Sequence, residues 1–176
     1  MNVSLSIEDV QRCLGDDAGV VIYNQAFFPG GPTVREQLAR WPWRALIMLT
    51  RSSDSYGHFT ALFERPTPKG TSLEIFDSYG RQADVYNKQL PVSMQVRLGQ
   101  TAPFLLDAIA RSKYNRIYWN EYDFQRESPD VSTCGRWCIV RLYKRKLTVA
   151  GFRDFVLRRC RETGLTPDAW VTEVTS

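Results

Sequence analysis

Short apolar runs separated by polar turns characterise much of the first half of the chain. Four of them have the length of a β-strand: residues 19–23, 45–49, 58–64 and 72–77. The turn between the last two contains two prolines and a glycine, so we predict that these runs form an antiparallel hairpin. In a hairpin the start of one strand lies beside the end of its neighbour. His58 and Asp77 are therefore expected at the same edge of a sheet.

Helical periodicity and capping residues alternate with these strands. Ser6, Thr33 and Thr148 stand where a helix N-cap is expected. We predict helices over five segments: residues 7–14, 34–40, 102–112, 134–146 and 149–163. The last of these is expected to be the final helix. Residues 80–100 are predicted to be a loop with helical turns, and residues 116–122 a further strand.

The composition is that of a folded protein with a core rich in aromatic rings. Hydrophobic residues make up 43% of the 176 residues and aromatic residues 12%, without a repeat or a low-complexity linker. We therefore predict a single domain over residues 1–176. The apolar runs fall well short of the roughly 20 residues of a membrane span. Because residues 1–19 also lack the pattern of a signal peptide, we expect a protein that is neither secreted nor embedded in a membrane.

The spacing of the cysteines bears on metal sites, and the distribution of basic residues bears on contacts with polyanions. Cys13, Cys134, Cys138 and Cys160 include no C-x-x-C pair, so we expect reduced thiols, no metal site and no cofactor. The formal net charge is +4, and basic residues concentrate near the C-terminus. We interpret most of this basic charge as a solvated helix surface. A contact with a polyanion such as nucleic acid is the alternative.

Four residues in a particular chain order suggest a cysteine hydrolase. The single histidine, His58, is followed by Asp77, Gln125 and Cys134. A thiol at the start of a helix and beside an imidazolium has a lowered pKa, which makes it nucleophilic at neutral pH. His58 would protonate the leaving group and Asp77 would orient the imidazole. The Gln125 amide would donate a hydrogen bond to the developing oxyanion.

The segment around Cys134 is expected to begin a helix. Ser132 or Thr133 can cap that helix, with the amides of the first turn pointing at the sulfur and at an oxyanion beside it. Taken alone, each candidate has a structural explanation, as a buried cysteine, a structural histidine or an aspartate in a turn. The combination and its order are what favour catalysis.

At these residues the chain resembles the adenovirus protease and ubiquitin-like-protein protease superfamily of cysteine peptidases. The matching motifs are Gly57-His58-Phe59, Phe76-Asp77-Ser78-Tyr79-Gly80 and Ser132-Thr133-Cys134-Gly135. The last motif, continued by Arg136-Trp137, is similar to predicted maturation proteases of virophages, Polinton-like elements and large DNA viruses. The resemblance covers about residues 44–153.

The resemblance implies an α+β fold of the papain-like, adenain-like type. In that fold a small mixed sheet carrying His58 and Asp77 packs against a central helix that begins at Cys134. The resemblance also implies an endopeptidase that cleaves capsid or other virion precursor proteins at Gly-Gly-X or Gly-X-Gly sites. Its location would be the virion and the host cytoplasm or viral factory, and activation by DNA or by a peptide is left open.

Three aromatic residues are expected to shape the narrow cleft that the resemblance implies. They are Tyr56, Trp119 and Trp137, although each could equally be a core residue.

Two features depart from the family pattern. Phe59 follows the histidine where many members carry tryptophan, and the interval from Gln125 to Cys134 is longer than in the eukaryotic deconjugases. Asn120 and Gln100 are weaker alternatives to Gln125. Two other functions stay open: removal of ubiquitin or a ubiquitin-like modifier, and non-catalytic binding of nucleic acid or virion components by the basic helices.

Overall fold

A five-stranded mixed sheet organises the computed structural model, which describes residues 4–54 and 56–176. Its strands lie side by side in chain order: β1 Gly19–Ile22, β2 Ala45–Arg51, β3 Gly57–Thr67, β4 Gly70–Phe76 and β5 Ile117–Trp119. β1 pairs with β2, and β4 with β5, in parallel. β2, β3 and β4 form an antiparallel meander. The predicted α+β class with a small mixed sheet is confirmed.

Nine helices accompany the sheet within the described part of the chain. They are α1 Ile7–Leu14, α2 Tyr23–Ala26, α3 Val34–Leu38, α4 Val85–Lys88, α5 Val92–Leu98, α6 Phe104–Ser112, α7 Cys134–Tyr143, α8 Val149–Thr163 and α9 Pro167–Val174. None of the helices in the described ranges combines the length and the apolarity needed to cross a bilayer.

The predicted hairpin is confirmed, and its register explains how two distant residues meet. Ala61 of β3 pairs with Phe76 of β4. Continued by one position, this register brings Asp77 opposite Thr60. Side chains alternate along a strand, so Thr60 shares a face with His58, two residues away. The strand pairing therefore brings an imidazole and a carboxylate to one edge of the sheet.

Each face of the sheet is covered by its own group of helices. Phe59, Ala61 and Phe63 of β3 belong to a core with α1, α7, α8 and α9. Leu62 of the same strand and Leu46 of β2 belong to a second core with α2, α3 and α6. Because both faces are buried, β2 is almost continuously apolar rather than alternating.

The central helix α7 is buried along nearly its whole length, from Cys134 to Leu142. The predicted apolar helix is therefore present, although it ends at Tyr143 rather than at residue 146. Gly135 lies against the ring of Phe59, where an added Cβ would come within 3.1 Å of that ring. This close approach seats the first turn of α7 on β3.

The predicted caps form at three helix starts. Ser6 and Asp9 make a reciprocal capping box at α1. The side-chain oxygen of Thr33 accepts the N–H of Glu36 at α3, and that of Thr148 caps α8. Each cap satisfies backbone donors that the helix leaves without an internal partner.

Other elements also differ from the sequence-based expectation. The strand predicted over residues 116–122 is shortened to Ile117–Trp119, because Asn120 turns its side chain to the backbone of Asp77 and of Tyr122. The helix ending at residue 163 is also not the last one. Thr166 caps α9, and Pro167 occupies its first turn.

The basic residues near the C-terminus do not all form a solvated surface. Those of α8 are exposed, as expected: Arg153, Arg158, Arg159 and Arg161. Arg141 is 1% exposed and holds the buried carboxylate of Glu74 through Nε at 2.9 Å and Nη2 at 2.6 Å. Arg65 contacts the other oxygen of Glu74 at 2.9 Å. Arg141 is therefore a core ion-pair residue.

Candidate active site

His58 and Asp77 meet where β3 begins and β4 ends. Nε2 of His58 lies 3.0 Å from Oδ1 of Asp77, and neither side chain is more than 4% exposed. The N–H of this nitrogen is not well aligned with the oxygen, so the contact is close but short of an ideal hydrogen bond. A small rotation of the imidazole would align it, and such looseness is common at active sites without substrate.

Hydrogen bonds hold both the backbone and the carboxylate of Asp77 in place. Oδ1 accepts the N–H of Tyr79 at 2.8 Å. The Asn120 side chain accepts the Asp77 N–H at 3.0 Å and donates to its carbonyl at 2.6 Å. Gly80 closes the turn at a φ of +72°, with the carbonyl of Glu121 where a side chain would stand. These contacts hold the carboxylate beside the imidazole.

Cys134 is the first residue of α7, and its side chain is buried. Burial acts to raise the pKa of this thiol. The hydrogen bond and the charge of His58, together with the backbone N–H groups of Phe59 and Gly135, outweigh burial and lower the pKa. The positive end of the α7 dipole acts in the same direction. The surroundings of the sulfur therefore favour a thiolate.

The pKa of the His58 imidazole is raised, whereas that of the Cys134 thiol is lowered. Burial acts to lower the pKa of His58, but the close contacts with Asp77 and Cys134 and the charges of both residues raise it above the ordinary value. A lowered thiol pKa and a raised imidazole pKa together favour an ion pair of Cys134 thiolate and His58 imidazolium near neutral pH. Such a pair can attack a carbonyl carbon and then donate a proton.

Two tyrosine rings pack against the imidazole. The ring centroids of Tyr79 and Tyr86 lie 5.2 and 5.0 Å from that of His58, with interplanar angles of 26° and 32°. The guanidinium of Arg81 lies 4.6 Å from the centroid of Tyr79 and pairs with Glu127 at 3.0 Å. The two tyrosine rings therefore restrict the orientation of the imidazole, and aromatic faces of this kind attract cations.

Gln125 is buried in the loop that leads to α7. Its Oε1 accepts the hydroxyl of Ser78 at 2.7 Å, and its Nε2 donates to the carbonyl of Val131 at 3.1 Å. Its backbone N–H also donates to the carbonyl of Ser78 at 3.1 Å. Because Ser78 directly follows Asp77, the loop is tied to the turn that carries the acid. An amide nitrogen carries two hydrogens, and Val131 takes one of them.

The two alternative amide residues have structural roles. Asn120 positions the backbone of Asp77, as described above. Gln100 donates from Nε2 to the carbonyl of Arg51 at 3.0 Å and to Oδ1 of Asn87 at 2.7 Å. These contacts connect the helical segment after residue 85 to the end of β2. Gln125 is thus the predicted amide that the structure places on the loop before the thiol.

The three aromatic residues expected at a cleft occupy different environments. Tyr56 is 70% exposed and borders a cavity of about 260 Å³, and Trp119 is 38% exposed on the edge strand β5. Trp137 is fully buried, with its ring centroid 5.3 Å from that of Phe124 and 6.0 Å from that of Trp170. Because α7 is packed along nearly all its sides, Trp137 belongs to the core and not to a cleft, which corrects that expectation.

The other cysteines differ from Cys134. All four cysteines, each in the described part of the chain, are free thiols. Burial raises the pKa of Cys138 well above its usual range, and the charge of Cys134 adds to the effect. Burial also raises the pKa of Cys160. Among residues 4–54 and 56–176, no group of three His, Cys, Asp or Glu side chains is arranged to hold a metal ion.

The amino-acid sequence is similar to that of a viral protein. Over 174 residues it is 33% identical to the "Uncharacterized protein V9" of Sputnik virophage, covering 98% of this chain and 94% of that protein. The chain belongs to the family of this Sputnik virophage protein V9. No family model matches it.

A comparison with solved structures gives a weaker likeness. The V9-family chain is similar to the Legionella pneumophila effector protein RavZ, with 14% identity and a TM-score of 0.30. The match covers 70% of this chain and 37% of the RavZ chain. A likeness of this strength carries no structural or functional argument.

Several residues of this V9-family protein contribute to the site without a sequence signal of function. Tyr79 belongs to the matched motif around Asp77 and Tyr86 to no motif, and only the structure reveals that both pack on His58. Asp168 lies on the unpredicted helix α9 and accepts the hydroxyl of Thr133 at 2.6 Å. Thr133 is the N-cap residue of α7, as predicted. Its hydroxyl, however, donates to Asp168 and accepts no N–H of the first turn. A Thr-Pro-Asp helix start was the available signal for α9.

Proposed function

We propose that this protein is a cysteine endopeptidase. The observation that carries the proposal is a buried thiol at the start of α7 together with a buried imidazole that lies 3.0 Å from a carboxylate. The interaction with this imidazole lowers the pKa of the thiol. Cys134 is the proposed nucleophile, His58 the general acid and base, and Asp77 the residue that orients the imidazole.

The proposed reaction proceeds in two stages. The Cys134 thiolate attacks the carbonyl carbon of the scissile peptide bond and forms a tetrahedral intermediate, whose collapse expels an amine protonated by the His58 imidazolium. The resulting thioester is hydrolysed by a water that transfers a proton to His58. The free thiolate and the imidazolium are then restored.

The oxyanion of the tetrahedral intermediate needs hydrogen-bond donors beside the sulfur. The backbone N–H groups of the first turn of α7 point toward that position. We assign the second amide hydrogen of Gln125 to the same oxyanion, because its first hydrogen and its oxygen are held by Val131 and Ser78. Losing one such donor typically costs 100-fold to 1000-fold in rate.

The proposed substrates are virion precursor proteins cut at Gly-Gly-X or Gly-X-Gly sites, in the virion or the viral factory. Membership of a virophage protein family supports a viral substrate. The motif resemblance around His58, Asp77 and Cys134 supports glycine-rich sites and an adenain-like, papain-like fold. A cavity of about 630 Å³ lies beside Gln125 and is lined by the loop before α7 and the start of α9.

The test is cleavage of candidate virion precursors and of fluorogenic peptides with glycine-rich sites. Wild-type protein is compared with Cys134→Ala and with Cys160→Ala, a matched change of another free cysteine. We expect cleavage by wild type and Cys160→Ala and none by Cys134→Ala. Equal cleavage by Cys134→Ala would overturn the proposal.

Two rival functions give different outcomes in the same set of assays. Labelling of Cys134 by a ubiquitin-like modifier with a C-terminal electrophile, without precursor cleavage, would assign the chemistry to deconjugation. Salt-sensitive DNA binding with no labelling of Cys134 by a small electrophile would indicate a non-catalytic basic protein.

A further inference from the structure

Asp168 joins three elements around the proposed nucleophile. It lies in the first turn of α9, and its Oδ1 accepts the hydroxyl of Thr133 at 2.6 Å and the indole N–H of Trp137 at 3.2 Å. Its Oδ2 accepts the backbone N–H of Arg126 at 2.9 Å. One carboxylate thus binds the residue before Cys134, the next turn of α7 and the residue after Gln125.

The contact with Thr133 has a specific effect on the start of α7. Thr133 is the N-cap residue, and a threonine there normally accepts a hydrogen bond from an N–H two or three residues later. One of those donors, the Gly135 N–H, also lowers the pKa of the Cys134 thiol. The bond to Asp168 directs the Thr133 side chain toward α9, and its oxygen accepts no N–H of the first turn, so those amides stay available to the sulfur.

The contact between Asp168 and Arg126 affects the loop that carries Gln125. Gln125 is held through its side chain by Ser78 and Val131. The bond from the Arg126 N–H to Asp168 fixes the backbone immediately after Gln125. A loop held at both points presents the Gln125 amide in one orientation.

We propose that Asp168 is a positioning residue that keeps the first-turn amides of α7 available to the Cys134 thiolate and to the oxyanion. The proposal rests on the proposed cysteine-peptidase site, but its central claim concerns the thiol. Without Asp168, the Thr133 hydroxyl turns to cap α7 and takes an N–H from the sulfur. The thiolate is then less stable, and Gln125 is less well oriented.

The decisive measurement is the pH midpoint of Cys134 alkylation by iodoacetamide, which needs a thiolate but no peptidase activity. Asp168→Asn removes the charge and keeps an acceptor for Thr133, whereas Asp168→Ala removes both. Loss of one hydrogen bond of the N-cap type corresponds to a shift of about 0.7 pH unit in the midpoint. We expect the midpoint of Asp168→Ala to lie about half a unit or more above that of Asp168→Asn.

A second substitution separates positioning from a general structural effect. Thr133→Val, added to Asp168→Ala, removes the competing hydroxyl and should return the midpoint to that of Asp168→Asn. Glu173→Ala, on the exposed side of the same helix, should leave the midpoint at the wild-type value. Equal midpoints for Asp168→Ala and Asp168→Asn, or no return with Thr133→Val, would overturn the inference.

Folding and activity are followed in parallel. Thermal melting identifies a variant that does not fold, and Asp168→Ser then replaces Asp168→Ala in the same comparison. Peptide hydrolysis by Asp168→Ala should fall about 10-fold to 100-fold, mainly in kcat. If wild type alkylates normally but cleaves no peptide, the proposed function fails while the midpoints still decide the role of Asp168.

Discussion

Cys134 and Cys138 lie one turn apart on α7, yet their thiols have opposite pKa shifts. Both are buried, which by itself raises the pKa of each thiol. At Cys134 the contacts with His58 and with backbone N–H groups reverse this effect. At Cys138 the charge of Cys134 increases it. A difference of a single helical turn therefore separates a proposed nucleophile from an inert core residue.

Selective alkylation should follow from this difference. At neutral pH, iodoacetamide should modify Cys134 first, and Cys138 should react only on unfolding. Peptide mass mapping after short exposure measures this order, and Cys134→Ala serves as the control. Modification of Cys138 before Cys134 in the folded protein would contradict the assignment.

The pH profile of kcat/KM should be bell-shaped and broad. The thiolate forms as the pH rises through the lowered pKa of Cys134, so the acid limb should lie below the ordinary thiol value of about 8.5. The imidazolium is lost as the pH rises through the raised pKa of His58, so the alkaline limb should lie above about 6.5. A single limb rising near pH 9 would show that the ion pair does not form.

Replacement of Asp77 should affect both rate and pH dependence. Asp77 raises the pKa of His58, so Asp77→Ala should move the alkaline limb to lower pH and reduce kcat about 100-fold or more. Asp77→Asn retains an acceptor for the Tyr79 N–H and tests whether the charge is required. Asp54→Ala, an exposed acid paired with Arg97, should leave the profile unchanged.

Gln125→Glu tests the proposed oxyanion donor with little change in volume. The carboxylate carries no N–H, so kcat should fall about 100-fold to 1000-fold, whereas its charge should raise the pH midpoint of Cys134 alkylation without abolishing the reaction. Steady-state kinetics and alkylation are measured on the same preparation. Activity within threefold of wild type would remove Gln125 from the mechanism and leave the backbone amides as donors.

The buried ion pair of Arg141 and Glu74 should govern stability rather than activity. Arg141→Ala leaves the Glu74 carboxylate buried, so the free energy of unfolding should decrease by about 3–5 kcal/mol. The remaining contact of Glu74 with Arg65 favours the lower end of that range. Chemical denaturation measures the change, and the exposed Arg158→Ala should alter stability by no more than about 0.5 kcal/mol.

The parts of the fold set by local chemistry could be predicted. The hairpin that brings His58 near Asp77, the caps at Ser6, Thr33 and Thr148, and the start of α7 all depend on residues close in the chain. The end of β5 and the presence of α9 could not be predicted from the sequence, because each depends on contacts with distant segments. Asn120 leaves the strand to bind Asp77, and α9 packs through Trp170 against α7 and α8.

The amino-acid sequence by itself determined the chemical groups available to this protein: one imidazole, an acid at a strand end, an amide and a thiol at a helix start. Periodicity and capping are properties of neighbouring residues, so they could be inferred without a structure. Only the tertiary structure decided that Trp137 is core, that Tyr79 and Tyr86 pack on the imidazole, and that the Thr133 hydroxyl donates to Asp168. These contacts form between helices and strands that are far apart in the sequence and meet only when both faces of the sheet are covered. Local sequence patterns therefore do not predict them.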